Sequence, residues 1–202
     1  NVNPPMELSS WHYGLSTAQL WRERMGEARV PEWDTLLAKL SPLAKDAEGK
    51  LYLASEDATD SYTNIRFISD HPAVTGALGM YPESRLLDKE IMNNTIDKIF
   101  EVWNWDETWG WDYPMIAMCA ARVGEPDKAV DALLMKNRTN TCLVSGHNYQ
   151  DKRHRLYLPG NGGLLTAMAV MCAGWDGCTE DTPGFPKDGK WNVKWEGLLP
   201  MP

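Results

Sequence analysis

The sequence predicts an all-α fold, built from α-hairpins in the manner of half of an α/α-toroid. Three observations indicate it. Apolar residues recur at helical spacing along most of the chain, and the predicted helices form pairs joined by short turns. A long polar loop follows every second helix. Two helices are almost wholly apolar and must therefore be enclosed by others. We expect these two to be inner helices, with the loops gathered at one end.

Seven helices are expected, each bounded by proline, glycine or a capping residue. The first follows an irregular segment, because Pro4 and Pro5 disfavour a helix there, and Ser9 or Ser10 caps it. Gly26 ends it. The predicted helices cover residues 11–25, 31–40, 72–80, 87–103, 114–123, 126–135 and 164–175.

The chain divides into three predicted parts. Residues 1–10 form the irregular segment, 11–176 the α-hairpin domain, and 177–202 a tail that packs on it. The tail alternates apolar and polar residues at period two around Asp188 and Gly189, which predicts a small C-terminal β-hairpin. We therefore expect a partial toroid of about seven helices with that hairpin added.

Composition excludes several classes of function. The net charge of the 202-residue chain is −8, and its one basic cluster, 152–155, is expected to be a solvated loop, so a nucleic-acid partner is not predicted. No run of about eighteen apolar residues is present to span a membrane. The chain begins with Asn1, which suggests a processed or truncated piece of a longer protein.

The four cysteines do not predict a metal site. They lack the C-x-x-C spacing of zinc ligands, and we expect neither a metal nor a cofactor. Cys119 and Cys172 lie in apolar helical segments and are expected to be buried thiols. A bridge between Cys142 and Cys178 is one alternative in an oxidising compartment, and two free thiols are the other.

The segment 103–111, WNWDETWGW, is the most informative part of the sequence. It holds four of the ten tryptophans together with two carboxylates. Indole faces stack on the apolar faces of sugar rings, while carboxylates bind hydroxyls or transfer protons. The segment therefore predicts a site for a polar, ring-shaped ligand. Trp105 and Trp109 are expected to contact that ligand, and Trp111 to belong to the core.

Five segments, in a fixed order, resemble a known family. They are the helix pair containing WRERMG and continuing through Trp33, Leu36, Leu40 and Pro42; DAEGKLYLASED; SDHPAVTGALGMYPES; GWDYPMIAMCAARVGEPDKAVDALL; and LPGNGGLLTAMAVM. Together they resemble the catalytic domain of the six-hairpin glycosidases, in the branch that contains the bacterial alpha-L-fucosidases of glycoside hydrolase family 95. The resemblance covers about residues 11 to 176.

The resemblance implies the C-terminal half of a toroidal glycoside hydrolase that acts by inversion on an oligosaccharide or polysaccharide. It also implies a bacterial periplasmic or secreted protein, with an N-terminal half of the same enzyme as its partner. Two departures matter. Pro159 stands where the family has an aspartate associated with the catalytic base, and the family's His-rich segment keeps only His71, preceded by Asp70. In addition, the family's general-acid glutamate lies upstream of the matched region and so outside this chain.

Glycoside hydrolysis needs two carboxyl groups, and the candidates here are Glu56, Glu107 and Asp112. Asp112 opens a buried helix, where it suits a base or a hydroxyl-binding group, and equally an N-cap. Glu56 lies next to Asp57, and two adjacent like charges raise one pKa, as a general acid requires. An exposed polar loop is the alternative for that pair.

Six residues are the candidates for contacts with substrate. They are acidic, aromatic or amide-bearing side chains in loops or at helix starts: Asp57, His71, Trp105, Trp109, His147 and Asn161. Asp70 is expected to cap the helix that follows Pro72. The leading hypothesis is a glycoside hydrolase or a fragment of one. A non-catalytic carbohydrate-binding helical domain is the alternative, which Pro159 favours, and a terpenoid-type enzyme lacks the aspartate-rich motif that it would need.

Overall fold

The computed structural model describes residues 1–202 as a mostly helical fold with one small antiparallel β-hairpin. The eight helices are α1 (Pro5–Arg24), α2 (Pro31–Lys39), α3 (Ile65–Ile68), α4 (Gly76–Gly79), α5 (Lys89–Val102), α6 (Asp112–Val123), α7 (Pro126–Leu134) and α8 (Leu158–Ala173), and the strands are β1 (Thr141–Cys142) and β2 (Asn148–Tyr149). The predicted predominance of helix is confirmed. None of these helices has the length and apolarity needed to cross a membrane.

Helix α6 lies at the centre of the fold. Every residue from Asp112 to Arg122 is buried, and α4, α5, α7 and α8 all contact this helix. Gly124, with φ of 87°, ends α6 in the left-handed conformation, and α7 begins two residues later and packs back against it. The prediction of an enclosed apolar helix is confirmed here.

Helix α8 was expected to be buried in the same way, and that prediction is wrong. Ala167, Val170 and Met171 pack against α6, but Leu158 and Leu165 are 61% and 72% exposed. Only one face of α8 has a helical neighbour, so the apolar residues on its other face remain in solvent. Apolar composition alone could not reveal how many neighbours the helix has.

The first helix begins earlier than predicted. It starts at Pro5 rather than after Ser10, with Pro4 in the preceding extended position. A proline in the first turn removes an N–H that would have had no partner inside the helix, and its fixed φ suits that position. The prolines therefore start this helix, where the prediction had them exclude it.

The β-hairpin also lies elsewhere than predicted. Residues 141–142 pair with 148–149, whereas the turn at Asp188 forms no strands. The tail instead packs Val193, Leu198 and Met201 against the core, whereas Trp191 and Trp195 are exposed. The period-two run Trp191, Val193 and Trp195 therefore forms neither a strand nor a continuous buried face.

The cysteines are all free thiols. Cys119 and Cys172 are buried, as predicted, and Cys142 is exposed. Of the two alternatives for Cys142 and Cys178, the structure therefore has the free thiols.

Candidate ligand-binding site

The tryptophan-rich segment follows α5 and is fixed to the chain that precedes α4. The indole N–H of Trp103 donates to the carbonyl oxygen of Asp70 at 2.8 Å, and the backbone N–H of Asn104 donates to that of Ile68 at 2.8 Å. These contacts hold His71 beside the end of the segment. His71 and the aromatic residues of the tryptophan segment, which belong to different loops, are thereby brought together.

A buried glutamine fixes the other side of the segment. The Gln150 side chain accepts from the N–H of Gly110 at 3.0 Å and donates to the carbonyl of Thr108 at 3.1 Å. It is buried, and both of its polar atoms are satisfied. The Gln150 amide thus bonds the backbone of the tryptophan segment as a neighbouring strand would. It thereby fixes the long loop before α8 relative to that segment.

Two glycines permit this close approach. The side chain of buried Asn148 donates to the carbonyl of Thr139 at 2.9 Å, and its Oδ1 faces Gly110 and Gly160. A Cβ at those two positions would lie 1.9 and 2.4 Å from Oδ1, respectively. No larger residue fits at either position without displacing Asn148.

The polar centre of the site is the pair Asp112 and His71. The carboxylate oxygens of Asp112 lie 2.9 and 3.2 Å from His71 Nδ1, and Oδ2 also accepts the backbone N–H of Trp109 at 2.8 Å. Asp112 is completely buried, whereas the His71 side chain is 31% exposed. Only the histidine can therefore reach a ligand, and Asp112 orients it from behind.

Burial and hydrogen bonding shift the pKa values of His71 and Asp112 in opposite directions. Burial alone would lower the pKa of His71, but the hydrogen bond to Asp112 and its negative charge raise that pKa above its ordinary value. Burial raises the pKa of the Asp112 carboxyl. The N–H of Trp109 and the start of α6 favour the ionised carboxylate, so we assign the shared proton to the imidazole.

Trp111 gives His71 Nδ1 a second neighbour. Its indole nitrogen lies 3.0 Å from Nδ1, and its ring meets the imidazole edge to face, with 5.1 Å between centroids. A protonated Nδ1 donates to Asp112, whereas an unprotonated Nδ1 would accept the indole N–H. Because Nδ1 carries the proton that it shares with Asp112, it does not also accept the indole N–H, and Nε2 is the ring nitrogen left for a ligand.

Trp109 is the centre of a cluster of four rings. The centroids of His71, His154 and Tyr157 lie 5.9, 5.8 and 5.3 Å from the indole. Burial, together with the charge of Asp112, raises the pKa of Tyr157 to about 12, so its hydroxyl stays a donor at neutral pH. Trp109 is only partly buried, and this cluster forms an aromatic surface beside the polar pair.

His71 also lines a cleft on its other side. This cleft has a volume of about 200 Å³, and Asp70, Phe67 and Glu7 contribute to its walls. Oδ1 of Asp70 accepts the backbone N–H of His71 at 2.8 Å and lies 3.9 Å from the imidazole Nε2 of the same residue. Asp70 does not cap a helix, because the helical turn starts only at Ala73 and no side chain caps it. The prediction of a cap is wrong.

The acidic pair Glu56 and Asp57 binds the start of the chain. Glu56 accepts the side-chain N–H of Asn3 at 2.8 Å, and Asp57 accepts the N–H of Val2 at 2.9 Å. The hydrogen bond from the Ser55 hydroxyl and that from Val2 lower the pKa of Asp57 to about 2. The rise in pKa that we predicted for one member of this pair is therefore wrong for Asp57. The hydrogen bonds donated to its carboxylate outweigh the repulsion from Glu56.

Trp105 and Trp111 have surroundings other than those expected. Trp105 packs against the core, with its ring 5.9 Å from Tyr113 and nearly parallel to it, and 5.9 Å from Phe100. Trp111, assigned to the core, directs its indole nitrogen at His71 instead.

The remaining candidates lie around the site without joining the polar pair. Glu107 is exposed, and its side chain makes no hydrogen bond or ion pair. His147 contacts the Ser145 hydroxyl at 3.1 Å in the hairpin turn. The side chain of Asn161 accepts the N–H of Asn148 and donates to the carbonyl of Gly146, both at 2.9 Å, so it anchors the long loop to α8.

Three residues of this site were not predicted from the sequence: Tyr157, His154 and Gln150. His154 belongs to the basic cluster, whose residues are indeed solvent-exposed as predicted. No local pattern marks a polar or aromatic residue of a long loop as a neighbour of Trp109. The only signal was the length of the loop, which is typical of functional segments.

Comparisons with known proteins do not assign this site. The chain matches no protein-family model, no curated protein sequence and no solved structure. The inference of function therefore rests on the geometry of the cluster around Trp109 and His71.

Proposed function

We propose that the protein binds an oligosaccharide on the aromatic surface of Trp109 and Tyr157, with His71 as the central polar contact. The observation that carries this proposal is the partly exposed Trp109 ring beside a histidine held by a buried carboxylate. A sugar ring presents an apolar face and a rim of hydroxyls, and this surface offers a partner for each.

The hydrogen-bonding groups suit hydroxyls as well. His71 Nε2 can accept or donate as its protonation changes, the Tyr157 hydroxyl is a donor at neutral pH, and His154 lies at the exposed edge. Of the basic cluster 152–155 only His154 packs against the rings, and no lysine or arginine lies over Trp109. A neutral, ring-shaped ligand fits this combination best.

Hydrolysis of a glycosidic bond is the second candidate, and the Asp112–His71 pair favours it as a proton-transfer group. The arrangement of the carboxylates favours binding over hydrolysis. Asp70 and Asp112 approach opposite nitrogens of one imidazole, so the ring of His71 occupies the space between them that a sugar would need. Asp112 itself, proposed from sequence as the base, is buried behind His71.

The resemblance to six-hairpin glycosidases extends this proposal. In that setting the helices around α6 are part of an α/α-toroid, and the exposed apolar residues of α8 would face an N-terminal half of the same enzyme. A bacterial periplasmic or secreted location belongs to the same proposal. The general acid would then come from that other half.

A panel of plant and host oligosaccharides tests the proposal. Binding to the 202-residue chain is measured by calorimetry, and released monosaccharides are measured by chromatography. We expect at least one member to bind, and Trp109→Ala to weaken its binding by about 10-fold or more, since a stacked aromatic contributes about 1 to 3 kcal/mol.

Trp21→Ala is the matched control, because Trp21 is 55% exposed on α1 and contacts none of the ring cluster. It should bind as the unaltered chain does. Equal binding by Trp109→Ala would refute the proposed surface. Sugar release that is lost in His71→Gln would instead establish hydrolysis by this chain.

A further inference from the structure

We propose that the solvent-facing side of α1 pairs two copies of this chain, with the two α1 helices antiparallel. Three large apolar side chains lie along this side, since Trp11, Trp21 and Met25 are 62%, 55% and 61% exposed. Leu8 and Gln19 of the same helix are buried, and α2 and α4 contact α1. A patch that holds two exposed tryptophans on one helix is typical of a protein–protein contact.

Gly14 lies in the middle of this exposed side, and no contact within a single copy explains it. A glycine inside a helix makes the helix less stable than an alanine would. A Cβ added at Gly14 would meet no atom within 4 Å, so no neighbour in the fold requires its absence. A second helix packed on this side would require it, because the two backbones can approach closely only where side chains are small.

The residues of this side are arranged as a two-fold axis requires. Trp11 and Trp21 lie five positions before and after Ser16, and Gly14 and Ala18 lie two positions before and after it. At about 100° per residue, the two tryptophans also diverge by about 40° to either side of one direction from the helix axis, and the two small residues by about 20°. In an antiparallel pair, Trp11 of each copy therefore meets Trp21 of the other. Only a second copy of the same helix matches this pattern.

The charges of α1 favour the same antiparallel arrangement. The first turn of the helix carries Glu7, and the last turn carries Arg22 and Arg24. Glu7 is exposed and forms no ion pair within the chain. The two-fold axis places each Glu7 opposite Met25 of the other copy, within one helical turn of both arginines. The acidic start of each helix then lies beside the basic end of the other.

The exposed area is sufficient for a weak dimer. An aromatic side chain can bury up to about 250 Å², so the exposed fractions of Trp11 and Trp21 leave about 300 Å² per copy. Four indoles therefore supply about 600 Å² of the roughly 1,000 Å² that a specific interface needs, and Met25 and the polar side chains around it add to this. None of these residues belongs to the sugar site, so this inference does not depend on the proposed function.

Sedimentation velocity of the 202-residue chain over a concentration series measures the association directly. We expect a monomer–dimer equilibrium with a Kd of about 1 to 100 µM. Because the symmetry repeats every substitution, Trp11→Ala removes two indoles and should weaken the dimer by about 100-fold. A chain that stays monomeric at about 500 µM would overturn the proposal.

Gly14→Leu distinguishes this interface from non-specific apolar association. The substitution adds apolar surface and favours the helix, so the monomer should unfold at an equal or higher temperature. The dimer should nevertheless be lost, since the two backbones can no longer approach. Gly162→Leu is the matched control, because Gly162 is an exposed glycine of α8 whose added Cβ would also meet no atom within 4 Å. It should leave the dimer unchanged.

The outcomes are distinct. Loss of the dimer in Gly14→Leu, with thermal unfolding preserved, would establish the contact through α1. Full association of Gly14→Leu would overturn it, and so would loss of the dimer in Gly162→Leu, since α8 would then form the interface. Glu7→Lys tests the orientation and should weaken the dimer by about 2- to 5-fold. An unchanged affinity in that variant would overturn the antiparallel arrangement.

Discussion

The carboxylate of Asp112 lies 2.9 Å from the Nδ1 atom of His71, although 41 positions separate them in sequence. Asp112 is the first residue of the enclosed helix α6, and His71 precedes the turn that leads into α4. The contact between α4 and α6 therefore sets the distance between the two groups. A buried orienting carboxylate and a partly exposed imidazole are the parts of a proton-transfer pair.

The titration of His71 should depend on Asp112. We expect NMR titration to give His71 a pKa above about 6.5, its ordinary value, and Asp112→Asn to lower that pKa below it, because burial then acts unopposed. His71→Gln identifies the resonance among the four histidines. An unchanged pKa in Asp112→Asn would show that the hydrogen bond does not hold in solution.

The same shift makes stability depend on pH. The pKa of His71 is raised in the folded state, so its contribution is fully present below the unfolded value, about 6.5, and is lost as pH rises through the folded pKa. Urea unfolding at several pH values should show the unaltered chain losing stability relative to His71→Gln over that interval. A constant difference would contradict the assignment.

Two carboxylates should differ sharply in their contribution to stability. Asp112→Asn removes the charge that pairs with His71 inside the protein and should lower the free energy of unfolding by about 3 kcal/mol. Glu107→Gln alters an exposed residue without polar contacts and should change it by less than about 0.5 kcal/mol. Urea unfolding measures both, and similar losses would argue against a special role for Asp112.

Two glycines of α8 form a matched pair. Gly160→Ala places a Cβ 2.4 Å from Asn148 Oδ1 and should destabilise the protein by about 1 to 3 kcal/mol as the long loop shifts. Gly162→Ala meets no atom within 4 Å and should stabilise α8 by about 0.5 to 1 kcal/mol. Thermal unfolding of both variants should therefore show midpoints that move in opposite directions.

The thiols should react in the order of their exposure. Cys142 is exposed and should react with a thiol reagent within the native state. Cys119 is completely buried, and burial raises its pKa, so it should react only after unfolding. Counting the modified cysteines by mass spectrometry with and without denaturant measures this, and rapid native labelling of Cys119 would contradict the enclosure of α6.

The sequence predicted α6 well because its pattern is extreme. Ten of the twelve residues of α6, all but Asp112 and Arg122, have apolar or small side chains around the whole circumference, which is the pattern of an inner helix, and Gly124 marks its end. Helices α2, α5 and α7 were also close to their predicted bounds. By contrast, the period-two pattern of the tail and the prolines before α1 each fit two structures, and local sequence could not choose between them.

The site was predicted only in part. The tryptophan segment, His71 and Asp112 were identified from residue type and placement. Their roles were not, because Trp105 and Trp111 differ in environment through neighbours far away in sequence: Tyr113 and Phe100 for the first, His71 for the second. Spacing within the segment gives no information on such contacts.

The enclosure of α6 also fixes how long the site geometry persists. Amide protons of an enclosed helix exchange with solvent only when its neighbours separate, and for α6 those neighbours are most of the helices of the protein. Asp112 is part of that helix, so its hydrogen bond to His71 persists as long as the folded state does. A variant that keeps slow exchange in α6 but loses ligand affinity therefore reports on the chemistry of the site rather than on local unfolding.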